Sequence, residues 1–266
     1  MINVRETRGD RLPDHLLIDG QRFNILNSGE TTKYLGRKVS FEDYNSCEFD
    51  NRVAAAWGAF SRHKKELTDR RYQLRDRLKL LDAVVTSTLL YGCETWALRV
   101  DQIRRLKAAQ WKMARMIINA KRRSIHHNSS SESGNSTEDE KESISTDLET
   151  WQDFMKRTAQ WADEQLEQCK VAPWIENWGR RKWKWAAKLY EEGNRKWSAV
   201  ATAWQPMIHS SAPCGRRQAR PRKRWDQDYT DYIRAAAPDG DAHWRDMAKN
   251  TQEWLSLQED FATASK

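Results

Sequence analysis

The sequence predicts a mainly α-helical protein that opens with a small antiparallel β element. Three observations carry that prediction. Short β-prone runs flank an Asp-Gly pair near the N-terminus. Three consecutive stretches then space their apolar residues at three- and four-residue steps, and 11 of the 14 Trp fall in helix-patterned segments beyond residue 150. A mean hydropathy of -0.94 and 32% charged residues leave little apolar surface to offset chain entropy. The Trp residues change that balance, because each buries a large area.

The elements follow in order. His15–Ile18 and residues 21–26 read as strands joined at Asp19-Gly20, since a two-residue hairpin turn needs positive φ at both positions. After the turn-rich Asn27-Ser28-Gly29, residues 33–39 read as a third strand. From Cys47 onward, Phe49, Val53, Ala56, Trp57 and Phe60 mark an amphipathic helix. Leu78, Leu81, Val85 and Leu89 mark a second, and Ile103, Leu106, Met113 and Ile117 a third with Asp101 as its N-cap. Arg, Lys and Gln occupy the opposite faces, so the three helices predict a small bundle. Residues 124–147 are rich in Ser, Asn and acidic side chains and almost free of aromatics. They are expected to be disordered and to mark a domain boundary.

Beyond that segment, Leu148, Trp151, Met155 and Ala162 predict one helix, and residues 183–190 and 195–204 two more. Residues 206–221, with three Pro and a Gly, predict a loop. Helices at 225–236 and 242–261, separated by Pro238-Asp239-Gly240, complete the reading. The Trp spacing is irregular, which excludes a solenoid repeat. The expected organisation is a β element at 1–45, a helical bundle at 46–123, a linker at 124–147 and a Trp-rich basic helical region at 148–266.

The net charge of +8 favours polyanionic partners, nucleic acid foremost. No run approaches the roughly 18 apolar residues of a membrane helix, so no membrane partner is expected. The opening MINVRETRGDRL lacks an apolar signal core, which predicts an intracellular protein of nucleus or cytoplasm. Cys47, Cys93, Cys169 and Cys214 form no closely spaced pair, and His126-His127 has no nearby thiol. Scattered buried thiols are therefore expected, and no zinc site.

Lys33-Tyr34-Leu35-Gly36 and Tyr91-Gly92-Cys93-Glu94-Thr95-Trp96 resemble the C-terminal part of non-LTR (LINE-type) retrotransposon reverse transcriptases. In that family a KYLG element is followed by a helix of pattern RI-x-x-A-x-x-A-F, matched here by Arg52-Val53-Ala54-Ala55-Ala56-Trp57-Gly58-Ala59-Phe60. A Lys-rich helix running into LLYG-x-E-x-W comes next, matched from Leu89 to Trp96. Leu106 and Gln110 match a Leu-x-x-x-Gln helix after it. KYLG alone is weak; YGCETW behind it, in this order and spacing, is specific. The tail is also similar to family tails, at Lys182-Trp183-Lys184-Trp185, Trp204-Gln205-Pro206 and Arg220-Pro221-Arg222-Lys223-Arg224-Trp225-Asp226. Ala186-Ala187 stand where those tails carry Gly-His, so these matches weigh less.

The resemblance implies the end of a palm, a thumb-like three-helix bundle and a Trp-rich helical tail. Such polymerases hold two divalent metals on carboxylates, including an aromatic-x-Asp-Asp turn upstream of KYLG. No Asp-Asp pair occurs in this chain. The resemblance thus implies a fragment of an RNA-directed DNA polymerase, not catalytic alone, with fingers and catalytic palm before Met1. No cofactor is expected, magnesium belonging only to an intact polymerase.

In an intact enzyme the thumb would track the primer-template backbone with basic residues. Arg62, Lys64, Lys65, Arg70, Arg71, Arg75, Arg77 and Lys79 are the candidates, making phosphate contacts without sequence choice. An ordinary solvated helix face accounts for them equally well. Arg216, Arg217, Arg220, Arg222, Lys223 and Arg224 form an acid-free run ending at Trp225, suited to phosphate and to stacking on an unpaired base. Nuclear import and an inert loop are open alternatives. Lys182 and Lys184 interleave with Trp183 and Trp185, where core packing competes with binding. Asp226, Asp228 and Asp231 read as solvated surface, while Tyr91, Glu94 and Trp96 read as structural. The expected partner is RNA or an RNA–DNA duplex. Three functions stay open: a non-catalytic binder, a part complemented in trans by a fingers-palm chain, and a decayed element with no selected role.

Overall fold

A computed structural model describes residues 15–26, 30–40, 43–126, 146–192, 196–203, 223–236 and 243–264. The protein is mainly helical, with two small antiparallel hairpins at its N-terminal end. Strands β1 (His15–Ile18) and β2 (Gln21–Asn24) pair with Ile18 opposite Gln21, which leaves Asp19-Gly20 as the turn at φ 49° and 78°.

Residues 33–39 do not form the single strand expected. The chain reverses within them, between β3 (Thr31–Tyr34) and β4 (Arg37–Ser40), around Leu35-Gly36 at φ 47° and 76°. Positive φ is costly for leucine, so the turn needs outside support. The Tyr91 hydroxyl donates to the Leu35 carbonyl at 3.1 Å, and the Arg52 guanidinium donates to the Gly36 carbonyl. Arg52 also lies over the Tyr91 ring at 4.7 Å and pairs with the buried Glu48 at 2.7 Å. Arg37 donates to Thr95 Oγ1 at 2.7 Å. Gly92, at φ 68°, lets the Arg37 guanidinium approach, since a Cβ there would sit 3.2 Å from its Nε. The KYLG turn and the YGCETW loop are thus two faces of one contact.

Helix α1 (Tyr44–Arg62) starts at Asp43, whose carboxylate accepts the Ser46 N–H at 3.2 Å. After α2 (Lys64–Thr68), α3 (Leu74–Leu80) continues through a π-helical stretch (Leu81–Thr86) into α4 (Ser87–Leu89). Leu78, Leu81, Val85 and Leu89, the expected stripe, are all buried. Helix α5 (Val100–Ile118) is not capped by Asp101. The Gln102 side chain accepts the Arg99 N–H at 3.0 Å, and Asp101 pairs with the Arg99 side chain instead. The two ends of the acidic segment form a ladder, β5 (Ser124–His126) with β6 (Thr146–Leu148). The expected disorder between them falls at 127–145, outside the described residues.

Helices α6 (Trp151–Gln168), α7 (Trp174–Glu192), α8 (Trp197–Ala203) and α9 (Gln227–Ala236) follow. In place of one helix at 242–261 there are three short ones, α10 (Trp244–Met247), α11 (Thr251–Ser256) and α12 (Gln258–Ala264). Asn250 restarts the chain by accepting the Glu253 N–H at 3.3 Å. The expected loop at 206–221 and the Pro238-Asp239-Gly240 turn lie outside the described residues. No helix among the described residues is long and apolar enough to cross a membrane. Cys47, Cys93 and Cys169 are free thiols, and burial pushes the Cys93 thiol up to about 12.

Two apolar cores hold these helices. The first joins Phe49 and Phe60 of α1 and Met113 and Ile117 of α5 to Leu166 of α6 and Trp174 and Trp178 of α7. One core therefore takes helices from both sides of 124–147. Polar pins reinforce it: Trp174 Nε1 donates to Thr86 Oγ1 at 2.7 Å, and its backbone N–H donates to Gln110 Oε1 at 3.0 Å. The second core gathers Trp183, Tyr229, Ile233, Trp244, Trp254 and Phe261. Helix α7 serves both. Where it passes from one to the other, Gly179 admits α12 so closely that a Cβ would lie 2.9 Å from the Ala262 Cα. Gly179→Ala is expected to push α12 away at a cost of about 1–3 kcal/mol. A urea midpoint equal to that of the unaltered protein would show that α12 does not pack there.

Candidate nucleic-acid interface

The stretch from the end of α1 to α3 presents Arg62, Lys64, Lys65, Arg70, Arg71, Arg75 and Lys79, and all seven are exposed. Their placement follows from the core. The helices turn Phe60, Leu67 and Leu78 inward, which leaves the intervening basic positions facing water. Arg71 is already engaged, pairing with Asp69 at 2.7 Å and holding that carboxyl down to about 2. The other six carry no ion pair among the described residues.

Arg77 belongs to the interior instead. Its Nη1 donates to the Ile117 carbonyl at 2.5 Å and its Nε to the Tyr72 carbonyl at 3.2 Å. Burial lowers its pKa. It ties α3 to the end of α5 and is not available to a phosphate.

The tail candidates are arranged differently from expectation. Lys182 has no exposed surface. Its Nζ donates to the Trp96 carbonyl at 3.0 Å and pairs with Asp228, under the rings of Trp178, Trp225 and Tyr229. This corrects its assignment to a binding surface, because no phosphate can reach it. Lys223 is likewise occupied, donating to the Leu98 carbonyl at 2.7 Å and pairing with Asp228. Trp225 donates to the Glu94 carbonyl at 2.6 Å and packs edge-on against Tyr229 at 5.3 Å, so it is no free stacking platform.

Asp226 and Asp228 are not solvated surface, with side chains 17% and 13% exposed. Arg224 is half exposed and pairs with Asp226 at 3.4 Å. Lys184 is exposed. Trp183 is core, as the packing alternative had it. Arg216, Arg217, Arg220 and Arg222 lie outside the described residues. What the basic Arg-Trp-Asp motif does in this fold is fasten the tail: Lys182, Lys223 and Trp225 together satisfy the carbonyls of Trp96, Leu98 and Glu94.

Three residues that were not candidates for binding in the sequence also face the basic side. Lys112 and Arg115 of α5 and Trp151 of α6 border a groove that begins at Lys64. In the sequence Trp151 served only to mark the spacing of this helix, and in the fold it is 62% exposed. The available signal was its position directly after Thr150, which caps α6 by accepting the Asp153 N–H at 3.2 Å. A first-turn residue can project past the packed face of its helix. Among the described residues no group of three or more His, Cys, Asp or Glu is placed to hold a metal ion.

Comparison with known proteins gives one similarity of note. Over 231 residues, spanning 84% of this chain and 68% of the other, the chain is 23% identical to an uncharacterized transposon-derived protein of Caenorhabditis elegans. The similarity points to a transposon origin and does not specify polymerase chemistry. No family model matches the chain, and no solved structure matches it.

Proposed function

We propose that this chain is the palm-end, thumb and tail portion of a non-LTR retrotransposon reverse transcriptase, acting by itself as a non-catalytic binder of RNA or an RNA–DNA duplex. One observation carries the reading. Arg62, Lys64, Lys65, Arg70, Arg75 and Lys79 stand exposed along one continuous stretch, without a carboxylate partner among the described residues. Cations so placed neutralise phosphates and release counterions, a sequence-independent attraction that weakens with salt. The order and spacing of the KYLG and YGCETW motifs, and the transposon-derived relative, support the same origin.

Fluorescence anisotropy with a short labelled RNA–DNA duplex tests it. If four phosphates are neutralised, affinity falls on the order of a hundredfold between about 50 and 200 mM salt. Arg70→Ala with Arg75→Ala lowers the salt slope by about 2. Salt-independent binding, or none, would remove the proposal. A primer-extension assay with magnesium is expected to show no synthesis by this chain alone, and synthesis would overturn the non-catalytic half of the reading.

A second reading, completion in trans by a fingers-palm chain, is favoured by the N-terminal hairpins. Among the described residues each sheet has two strands, and Leu17, Tyr34 and Leu35 are 69%, 65% and 73% exposed. Isolated two-stranded hairpins are marginally stable, so a covering partner would gain them as a docking edge. Synthesis restored by adding a separate fingers-palm fragment would distinguish the two.

A further inference from the structure

The groove bordered by α2, the end of α5 and the first turn of α6 differs from the flat basic face beside it. It encloses about 710 Å³, within the ~300–1,000 Å³ typical of ligand sites. Its walls carry three cations, Lys64, Lys112 and Arg115, and no carboxylate. Its apolar side is Trp151 against Phe154, ring centroids 5.3 Å apart. The carbonyl end of α5 and the amide end of α6 both border it, so their dipoles oppose one another and the side-chain charges set its sign.

Arg115 is the least satisfied of these cations. Its Nη1 is shielded from solvent and has no acceptor among the described residues. An anion in the groove would meet this guanidinium with no carboxylate in the lining to compete for it. Trp151, for its part, is 62% exposed at the rim, with its ring tilted 36° against that of Phe154.

We infer that this groove is a single-strand subsite. An unpaired nucleotide stacks its base on Trp151 and sets its phosphate among Lys64, Lys112 and Arg115. A duplex presents paired, stacked bases and has no free ring face to offer, so Trp151 distinguishes single strand from duplex. The inference rests on the nucleic-acid reading above for its ligand class and adds a second, separable mode to it.

The test is anisotropy with a labelled oligouridine beside the RNA–DNA duplex, on the full chain. Trp151→Ala is expected to weaken oligouridine roughly five- to a hundredfold and to leave duplex affinity unchanged, with Trp151→Phe restoring most of the loss. Lys112→Gln, a surface change that keeps Trp151 and its packing, is expected to lower the oligouridine salt slope by about 0.7. If the protein binds duplex but not oligouridine, or if both variants bind oligouridine like the unaltered protein, the subsite is overturned and the duplex reading stands. If neither nucleic acid binds, both fall together.

Discussion

Replacing Asp228 with alanine is expected to cost about 3–5 kcal/mol of unfolding free energy. Lys182 is wholly buried, and its ammonium is neutralised by Asp228 and bonded to the Trp96 carbonyl. Removing the carboxylate leaves a charge without a partner in an aromatic pocket and frees Lys223 as well. A buried pair need not favour folding over an apolar replacement, so Lys182→Met combined with Asp228→Leu should recover most of the loss. Urea denaturation of the three variants decides this. A cost below about 1 kcal/mol for Asp228→Ala, or a double variant no better than the single one, would refute the clasp.

The same pair gives a pH signature. Burial lowers the Lys182 ammonium from 10.5 to about 8 against the pull of Asp228. Between those values the unfolded chain binds more proton than the folded one, so this group makes stability rise with pH from about 8. Cys93, raised from 9.0 to about 12, acts in the opposite sense above 9, and Tyr229, raised well above 10.0, does so above 10. The rise is therefore clearest between 8 and 9, and Lys182→Met should abolish it.

Local signals were legible where local physics decides. The Asp19-Gly20 turn and the buried stripe of Leu78, Leu81, Val85 and Leu89 followed from turn chemistry and periodicity. Tertiary contacts decided the rest. Leu35-Gly36 turns because Tyr91 and Arg52, from other elements, hold its carbonyls, and no short window contains that information. For the site, a Lys or Arg in the sequence says that a charge is present, not where it points. Lys64 and Lys182 read alike as letters, yet one faces water and the other lies inside an aromatic cage. The acidic partner of Lys182 stands 46 residues away. Basic residues interleaved with Trp are thus ambiguous, because tryptophan that stacks on bases and tryptophan that builds a core attract cations through the same ring electrostatics.

The second core supplies the other large effect. Trp183 and Trp254 stack face to face, 3.8 Å between centroids and 4° between planes. Each indole N–H donates to the other's backbone carbonyl, at 2.6 and 3.1 Å, so the two residues form a closed pair linking α7 to α11. Tyr229 and Tyr232 of α9 meet Trp183 edge-on at 5.6 Å, and Phe261 of α12 meets it at 4.6 Å. Three helices, α9, α11 and α12, thus meet on one ring. Trp183→Ala is expected to cost about 3–5 kcal/mol, with Trp183→Phe costing about 1–2 because it keeps a ring but loses the N–H. Trp183→Ala and Trp254→Ala should be non-additive by about 0.5–1.5 kcal/mol, the share belonging to the pair itself. The effect should also be regional, with amide exchange accelerating across α9 to α12 while α1 and α5, which rest on Phe49 and Met113, stay protected. Additive costs, or equal loss of protection in both cores, would show that the α7 indole does not organise the tail.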